Sequence, residues 1–241
     1  MKKVAVIQSN YIPWRGYFDI ISEVDTFVFL DDVQMTKRDW RTRNRIKTSN
    51  GSIWLTVPVV GGRHQLIHEA RIADNGWQRR HLKSLQLNFA SAPYFQDYEP
   101  LLDWLYEQPH ENLSEFNRET TSKICDTLGI GTELVSSMDL ATNGSKTDRL
   151  ISICREVGAT SYLSGPAARS YIDEEKFEDA GIDLVWKDYS GYPEYPQSYP
   201  PFEAQVSILD LLFNCGPDAP YYVWGWRNGG QGNASTTLHE E

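Results

Sequence analysis

The chain contains little cysteine, little methionine and no long apolar run. Its 241 residues include three cysteines and three methionines. Cys125, Cys154 and Cys215 are far apart and stand among apolar neighbours, so we expect buried free thiols rather than disulfides or a zinc site. No stretch approaches the roughly 20 apolar residues of a membrane span. The apolar run after Lys2 and Lys3 is too short for a signal peptide, and we therefore expect a cytoplasmic protein.

Positive charge is also scarce. The chain has 23 lysines and arginines against 33 acidic residues, which gives a formal net charge of −10. This balance argues against nucleic-acid binding as the main role of the protein. The 40% of hydrophobic residues can form a core. We predict a single α/β domain over residues 1–226, with a Rossmann-like, mostly parallel sheet and a helical insertion near residues 78–130. Residues 227–241 have the composition of a disordered tail.

Polar side chains follow the first predicted strand, which covers residues 3–7 and precedes a helical pattern. The carboxyl end of a parallel strand is a common place for a small-molecule site. Amides both donate and accept hydrogen bonds, and an indole ring can stack on a base or a sugar. We therefore predict substrate-binding roles for Gln8, Asn10, Tyr11 and Trp14. The alternative is that these residues only shape a turn.

Two carboxylates follow the second predicted strand, which covers residues 25–30. A right-handed crossover would bring Asp31 and Asp32 to the same sheet edge as the first polar group. Adjacent carboxylates can bind a divalent metal, hydrogen-bond a ribose or act as a base. Because side chains alternate along a strand, only one of the two should point into a cleft. We predict substrate binding by Asp31 and catalysis by Asp32; a solvated strand end is the alternative.

A basic segment covers residues 37–47 of this otherwise acidic chain. Arginine side chains bind phosphate through paired hydrogen bonds, and the interleaved Trp40 can stack on a base. We predict that Arg41, Asn44 and Arg45 bind the substrate, with a diphosphate as the preferred group. A solvated charged surface is the alternative interpretation.

Three further positions complete the predicted site. His81, near the start of a predicted helix, is a candidate base because its pKa can be tuned near neutrality. Ser164 and Gly165 follow a strand and precede a helical pattern, so their free amides could bind an anion. Gln197 lies in a loop rich in tyrosine and proline. The sequence shows no P-loop, nucleophile elbow or metal-ligand spacing, so we predict no metal site and assign no cofactor.

Ordered blocks of the sequence resemble the WbqC-like family from residue 3 to residue 222. The blocks include IQSNYIPWRGYFDII, DDVQ, WLTVPV, DRLISIC and SILDLLFNCG. One departure is Arg80–His81, where Lys–His is common in the family. The resemblance implies a role in surface-polysaccharide (O-antigen) biosynthesis and is consistent with an amino-sugar nucleotide as substrate.

We therefore expect a transferase that modifies a nucleotide-linked amino sugar, with N-acyl or aminoacyl transfer as the candidate reaction. Its partners would be the nucleotide sugar and an acyl donor. A looser similarity to HIGH-type nucleotidyltransferases makes nucleotidyl or phosphate transfer an alternative. Trp14 and Tyr17 stand where the HxGH signature has its two histidines, which argues against that mechanism. A non-catalytic sugar-nucleotide-binding protein is the other alternative.

Overall fold

A parallel β-sheet lies at the centre of the protein in a computed structural model, which describes residues 1–36, 38–61 and 64–228. The strands in chain order are β1 (Lys3–Ile7), β2 (Thr26–Phe29), β3 (Arg43–Thr48), β4 (Gly51–Thr56), β5 (Val59–Val60), β6 (Arg71–Ile72), β7 (Glu133–Ser136), β8 (Ser161–Ser164) and β9 (Asp183–Trp186). The α-helices are α1 (Arg15–Ser22), α2 (Trp77–Phe89), α3 (Glu99–Glu107), α4 (Leu113–Leu128), α5 (Lys146–Glu156), α6 (Glu174–Asp179), α7 (Ile208–Cys215) and α8 (Ala219–Val223).

The central sheet has five strands in the order β7-β2-β1-β8-β9, and all neighbours are parallel. Counted along the chain this is the order 3-2-1-4-5, so the predicted α/β, Rossmann-like fold is confirmed. The order reverses between β1 and β8, the position where open parallel sheets bind ligands. Pairing of these two strands covers only Lys3 with Ser161 and Val4 with Tyr162. Their carboxyl ends are therefore free to line a cleft.

Both faces of the sheet are buried, as expected when crossover helices cover a parallel sheet. Val4 and Val6 pack with apolar residues of α5 and α6 on one face. Ala5 and Phe27 belong to the larger core on the other face, together with residues of α1, α4 and α7. Because successive side chains alternate, the two faces draw on alternate residues of β1. The sheet is thus a rigid base for the residues that follow its strands.

The chain between β2 and β7 contains the main additions to the sheet. Helices α2, α3 and α4 occupy the region predicted as a helical insertion. Strands β3 and β4 form a separate antiparallel hairpin outside the central sheet. Half of this hairpin comes from the basic segment, for which we predicted no strand.

The remaining sequence expectations concern the thiols, the tail and the membrane. All three cysteines are buried and free, and burial raises the pKa of each thiol to about 12. Arg227, the first residue of the predicted tail, is ion-paired with Asp19 at 2.7 Å, whereas residues 229–241 lie outside the described residues. Among the helices of the described residues, none combines the length and apolar character needed to cross a bilayer.

Candidate functional site

A cleft of about 860 Å³ lies at the carboxyl ends of β1, β2 and β8, where the strand order of the sheet reverses. Five predicted site residues line it: Gln8, Asp32, Arg41, Ser164 and Gly165. The structure adds residues that we had not predicted: Thr142, Asn143, Gly144, Ser145, Lys146, Arg149 and Tyr171.

Most of the unpredicted cleft residues belong to the polar loop before α5 and to the first turns of that helix. Gly144 has φ of 86° and Lys146 has φ of 51°, so both adopt left-handed backbone conformations. A non-glycine residue in this region costs free energy, and such residues cluster at functional sites. The sequence signal was the run TNGSK directly before the helical pattern. We missed its importance because β7, which precedes it, is an outer strand of the sheet.

The cleft is lined by three cationic side chains, Arg41, Lys146 and Arg149, and by one carboxylate, Asp32. Asp32 accepts a hydrogen bond from Ser137 Oγ at 2.6 Å and forms an ion pair with Arg149. Both of its oxygens therefore have partners. The excess of positive charge within an acidic protein makes the cleft suitable for an anionic ligand.

Two buried polar atoms of residues that line the cleft have no hydrogen-bond partner among the residues that the structure describes. They are Nε of Arg41 and Oγ1 of Thr142. Arg41 also forms an ion pair with Asp39 at 2.6 Å, which fixes one end of its guanidinium. Unpaired buried polar groups cost free energy, and a ligand that paired with them would recover it. In the described part of the chain, no group of three or more His, Cys, Asp and Glu side chains is arranged to hold a metal ion.

A second, smaller cavity of about 190 Å³ collects three more predicted residues, Asn10, Trp14 and Asn44. Pro13, Trp40 and Gln205 complete its lining. We call this cavity the aromatic pocket. The predicted site is thus divided between two cavities, because successive residues after β1 face different sides of the loop.

The basic segment does not act as one phosphate-binding surface. Arg41 reaches the cleft, but Arg43 lies over the ring of Trp54 at 4.1 Å. Arg45 contacts Glu203 at 3.4 Å, and Lys47 is buried with its Nζ 3.1 Å from Gln197 Oε1. Lys37 lies outside the described residues. The cause is the strand over residues 43–48: Arg43, Arg45 and Lys47 share one of its faces and contact Trp54, Glu203 and Gln197 within the protein, whereas Arg41 precedes the strand.

Tyr11 and His81 lie in the core and not in either cavity. Tyr11 is fully buried, and its hydroxyl is 2.8 Å from both His81 Nδ1 and the Tyr106 hydroxyl. The backbone of Thr56 also hydrogen-bonds His81. Burial lowers the pKa of His81 to about 4, with a smaller contribution from Arg80. The structure therefore gives these residues packing and hydrogen-bonding roles, in place of the predicted contact with substrate.

Asp31 is also fully buried and links three parts of the fold. It accepts hydrogen bonds from the Ser9 amide at 2.9 Å and from the Ser114 hydroxyl. These bonds join the ends of β1 and β2 to the start of α4. Asp32, the next residue, lines the cleft, as the alternation of side chains predicted. The predicted substrate contact of Asp31 is therefore replaced by a structural one.

Gln197 belongs to a buried network around Asp210. Its Nε2 donates to Asp210 Oδ1 at 2.9 Å, and its Oε1 accepts from the Glu203 amide at 2.8 Å. Tyr195 donates to the same Asp210 oxygen at 2.8 Å. The amide of Gln197 is thus occupied within the protein and is not presented to either cavity. Burial raises the pKa of the Asp210 carboxyl to about 6.

This raised pKa predicts a pH-dependent contribution of Asp210 to stability. The folded protein holds the proton more tightly than the unfolded chain, so the contribution is present below the unfolded pKa of 3.8 and is lost as the pH rises through about 6. We expect the free energy of unfolding of the native protein, relative to Asp210→Asn, to fall by about 3 kcal/mol between pH 4 and pH 7. Urea unfolding of both proteins across this range measures the difference. If the free energy of unfolding changes equally with pH in the two proteins, the prediction is wrong.

The region that corresponds to the HxGH signature has structural roles. Tyr17 is buried and donates to the Gln8 carbonyl at 3.0 Å. Arg15 is buried, donates to the Pro193 carbonyl at 2.8 Å and lies over the Tyr192 ring at 4.7 Å. Trp14 packs on Gly16, where an added Cβ would approach the indole to 2.2 Å. None of these contacts places a proton donor where the signature histidines would act.

The chain is similar in sequence to a known protein over most of its length. It is 51% identical over 229 residues to "Uncharacterized protein Rv1507c" of Mycobacterium tuberculosis (strain ATCC 25618 / H37Rv), over 92% of this chain and 98% of that protein. No solved structure shows significant similarity to the chain. The model of the WbqC-like protein family matches residues 8–222, which include the lining of the aromatic pocket and that of the cleft except Val6 and Ile7. The chain belongs to the WbqC-like protein family.

Proposed function

We propose that the protein is a transferase that acts on a nucleotide-linked amino sugar in the biosynthesis of a bacterial surface polysaccharide. The observation that carries the proposal is the cleft with three cations and one carboxylate at the strand-order reversal of the sheet. Sheets of this order commonly bind nucleotides at that position. The family membership of the chain supports the choice of pathway.

The diphosphate of the substrate would lie among Arg41, Lys146 and Arg149. Arg149 uses one terminal nitrogen on Asp32, and Arg41 uses one on Asp39. Each guanidinium has five N–H donors, so both retain donors for phosphate oxygens. Lys146 stands at the first turn of α5, where the positive end of the helix dipole also favours an anion. These three residues could neutralise a diphosphate without any contribution from the basic side chains of β3.

The reaction proposed is acyl or aminoacyl transfer to the sugar amine. The amine nitrogen would form a bond to the carbonyl carbon of an activated acyl donor, and the bond from that carbon to the leaving group would break. The amine must lose a proton in this process. Among the described residues that line the cleft, Asp32 is the one carboxylate. We therefore propose that Asp32 accepts the proton that the amine loses. His81 is left out of this step because it is buried in the core.

One observation favours a second candidate function, the binding of a sugar nucleotide without chemistry. Both oxygens of Asp32 already have partners, Ser137 and Arg149, so Asp32 has a structural role in the cleft that requires no proton transfer. A mass-spectrometric search for products from nucleotide amino sugars and thioester donors separates the two functions. A modified sugar establishes transfer; tight binding without a product favours the second candidate.

Replacing Arg149 with alanine is expected to weaken the binding of a nucleoside diphosphate about 10- to 100-fold, because hydrogen bonds to charged groups contribute roughly 1.5–3 kcal/mol. Isothermal titration calorimetry measures the dissociation constants. Arg155→Ala is the matched control, since Arg155 lies on the same helix, is exposed and does not line the cleft. Equal affinities of the two variants would contradict the proposed role of the cleft.

A further inference from the structure

The aromatic pocket lies beside the cleft, and the two cavities share a wall. Gln8 lines the cleft and Asn10 lines the pocket, and likewise Arg41 lines the cleft and Trp40 lines the pocket. The Tyr11 amide donates to the Trp40 carbonyl at 2.9 Å, which joins the two segments of this wall. The two cavities are therefore neighbours on either side of these two segments.

The two tryptophans of the pocket are held by contacts outside it. Trp14 packs on Gly16 and lies 5.3 Å from the Tyr189 ring, measured between centroids. Trp40 is 45% exposed and lies 5.6 Å from the Trp54 ring. These contacts support both indoles while Trp40 keeps a large accessible surface. A supported aromatic surface binds a flat apolar ligand face at low entropic cost.

The polar groups of the pocket are uncharged carboxamides from Asn10, Asn44 and Gln205. The Asn44 amide is used within the protein, because its Nδ2 donates to the Ile12 carbonyl at 2.6 Å and its Oδ1 accepts from the Arg45 amide at 2.8 Å. The side chain of Asn10 makes no hydrogen bond within the described part of the chain. Gln205 Oε1 accepts from Arg45 at 3.3 Å, so Asn10 is the pocket carboxamide with both its donor and its acceptor available for a ligand.

We propose that the aromatic pocket binds one uncharged sugar ring, with an N-acetylhexosamine as the favoured ligand. The C–H face of a pyranose is apolar and suits the indole of Trp40, whereas its hydroxyl and acetamido groups suit the amide of Asn10. Among the described residues, those that line the pocket include no charged side chain, so a neutral sugar fits better than a phosphate or an ammonium group. The bound ring would be a sugar other than the one whose amine reacts beside Asp32 in the cleft, and its part in a sugar-modifying reaction rests on the proposed function.

The test uses methyl N-acetylglucosaminide as the probe and the full chain as the protein. We expect saturation-transfer NMR to detect binding, and the dissociation constant to rise about tenfold in Trp40→Ala and in Asn10→Ala. Trp40→Phe keeps an aromatic ring and should retain most of the affinity. Ile53→Ala is the control: Ile53 is 40% exposed on the same hairpin and does not line the pocket, so we expect no change.

The outcomes separate this inference from the proposed function. Sugar binding that survives both Trp40→Ala and Asn10→Ala, or no binding at all, would overturn the inference. A free nucleoside that binds in a Trp40-dependent way, in place of the sugar, would also overturn it. Sugar binding in a protein that binds no nucleoside diphosphate would support the pocket and reject the proposed function. Arg149→Ala should leave binding of the free sugar unchanged.

Discussion

Asp19→Asn is expected to lower the free energy of unfolding by about 3–5 kcal/mol, the cost of removing one partner from a buried ion pair. Asp19 is 1% exposed and contacts Lys187 Nζ at 3.0 Å, and the side chain of Lys187 is 3% exposed. Arg227 donates to both Asp19 oxygens at 2.7 and 2.8 Å. The Tyr192 hydroxyl donates to the same carboxylate. Because asparagine is neutral, the variant would remove one of the two carboxylates that compensate the charge of the buried Lys187 ammonium.

Chemical denaturation measures this effect, and two further variants test its cause. Glu23 also pairs with Lys187, at 2.6 Å, but its side chain is 39% exposed, so Glu23→Gln should cost no more than about 1 kcal/mol. The double variant Asp19→Asn/Lys187→Met removes both buried charges and should be more stable than Asp19→Asn alone. If Asp19→Asn is no more destabilising than Glu23→Gln, the ion cluster does not stabilise the fold as argued.

The same cluster connects the end of the described chain to the aromatic pocket. Arg227 and Tyr192 meet at Asp19 on α1, and Tyr192 lies 6.1 Å from the ring of Trp14. Loss of Asp19 would therefore loosen the support of one pocket indole as well as the fold. Sugar binding in the Asp19 variants would report on this second consequence.

The sequence contains enough information to predict the central sheet. Strand β1 and its exit, the strand over residues 25–30 and the helix before Gly158 all appear as clear hydrophobic patterns, and the structure contains them. The carboxyl-edge location of the cleft follows from the same patterns, because parallel strands place their ends on one side. Alternation along a strand explains why one of Asp31 and Asp32 lines the cleft and the other does not, but it does not say which.

The partners of individual polar side chains were not predictable from local patterns. Arg41 and Arg45 are similar in sequence context, yet one lines the cleft and the other contacts Glu203, which is 158 residues away along the chain. The local sequence around Gln197 gives no sign of an internal partner for its side chain, yet the side chain is hydrogen-bonded to Asp210 and Glu203. Such pairs form only when distant segments pack together. A cleft at this edge of the sheet can therefore be predicted from the sequence, whereas the partners of its individual polar side chains cannot.

Replacing His81 with alanine is expected to destabilise the fold by about 3 kcal/mol, through the loss of buried volume and of a hydrogen bond. Three aromatic side chains contact the imidazole, and the variant would leave a cavity among them: Tyr11, Trp77 and Tyr106. The Tyr11 hydroxyl would keep Tyr106 as its remaining side-chain partner. A catalytic base would instead give a stable and inactive variant, so thermal unfolding separates the two roles. Gln86→Ala, at an exposed position on the same helix, is the control.

The pH dependence of the free energy of unfolding gives a second test of the burial of His81. Burial lowers its pKa to about 4 from 6.5, so the folded protein holds this proton less tightly than the unfolded chain. The resulting stability is present above pH 6.5 and is lost as the pH falls through about 4. We expect His81→Gln to remove about 3 kcal/mol of pH dependence across this window, with a sign opposite to that of Asp210. The two effects oppose each other in the native protein, so urea unfolding of each single variant is needed to reveal them. A His81 imidazole that titrates near pH 6.5 in NMR spectra of the folded protein would contradict its burial and reopen its assignment as a base.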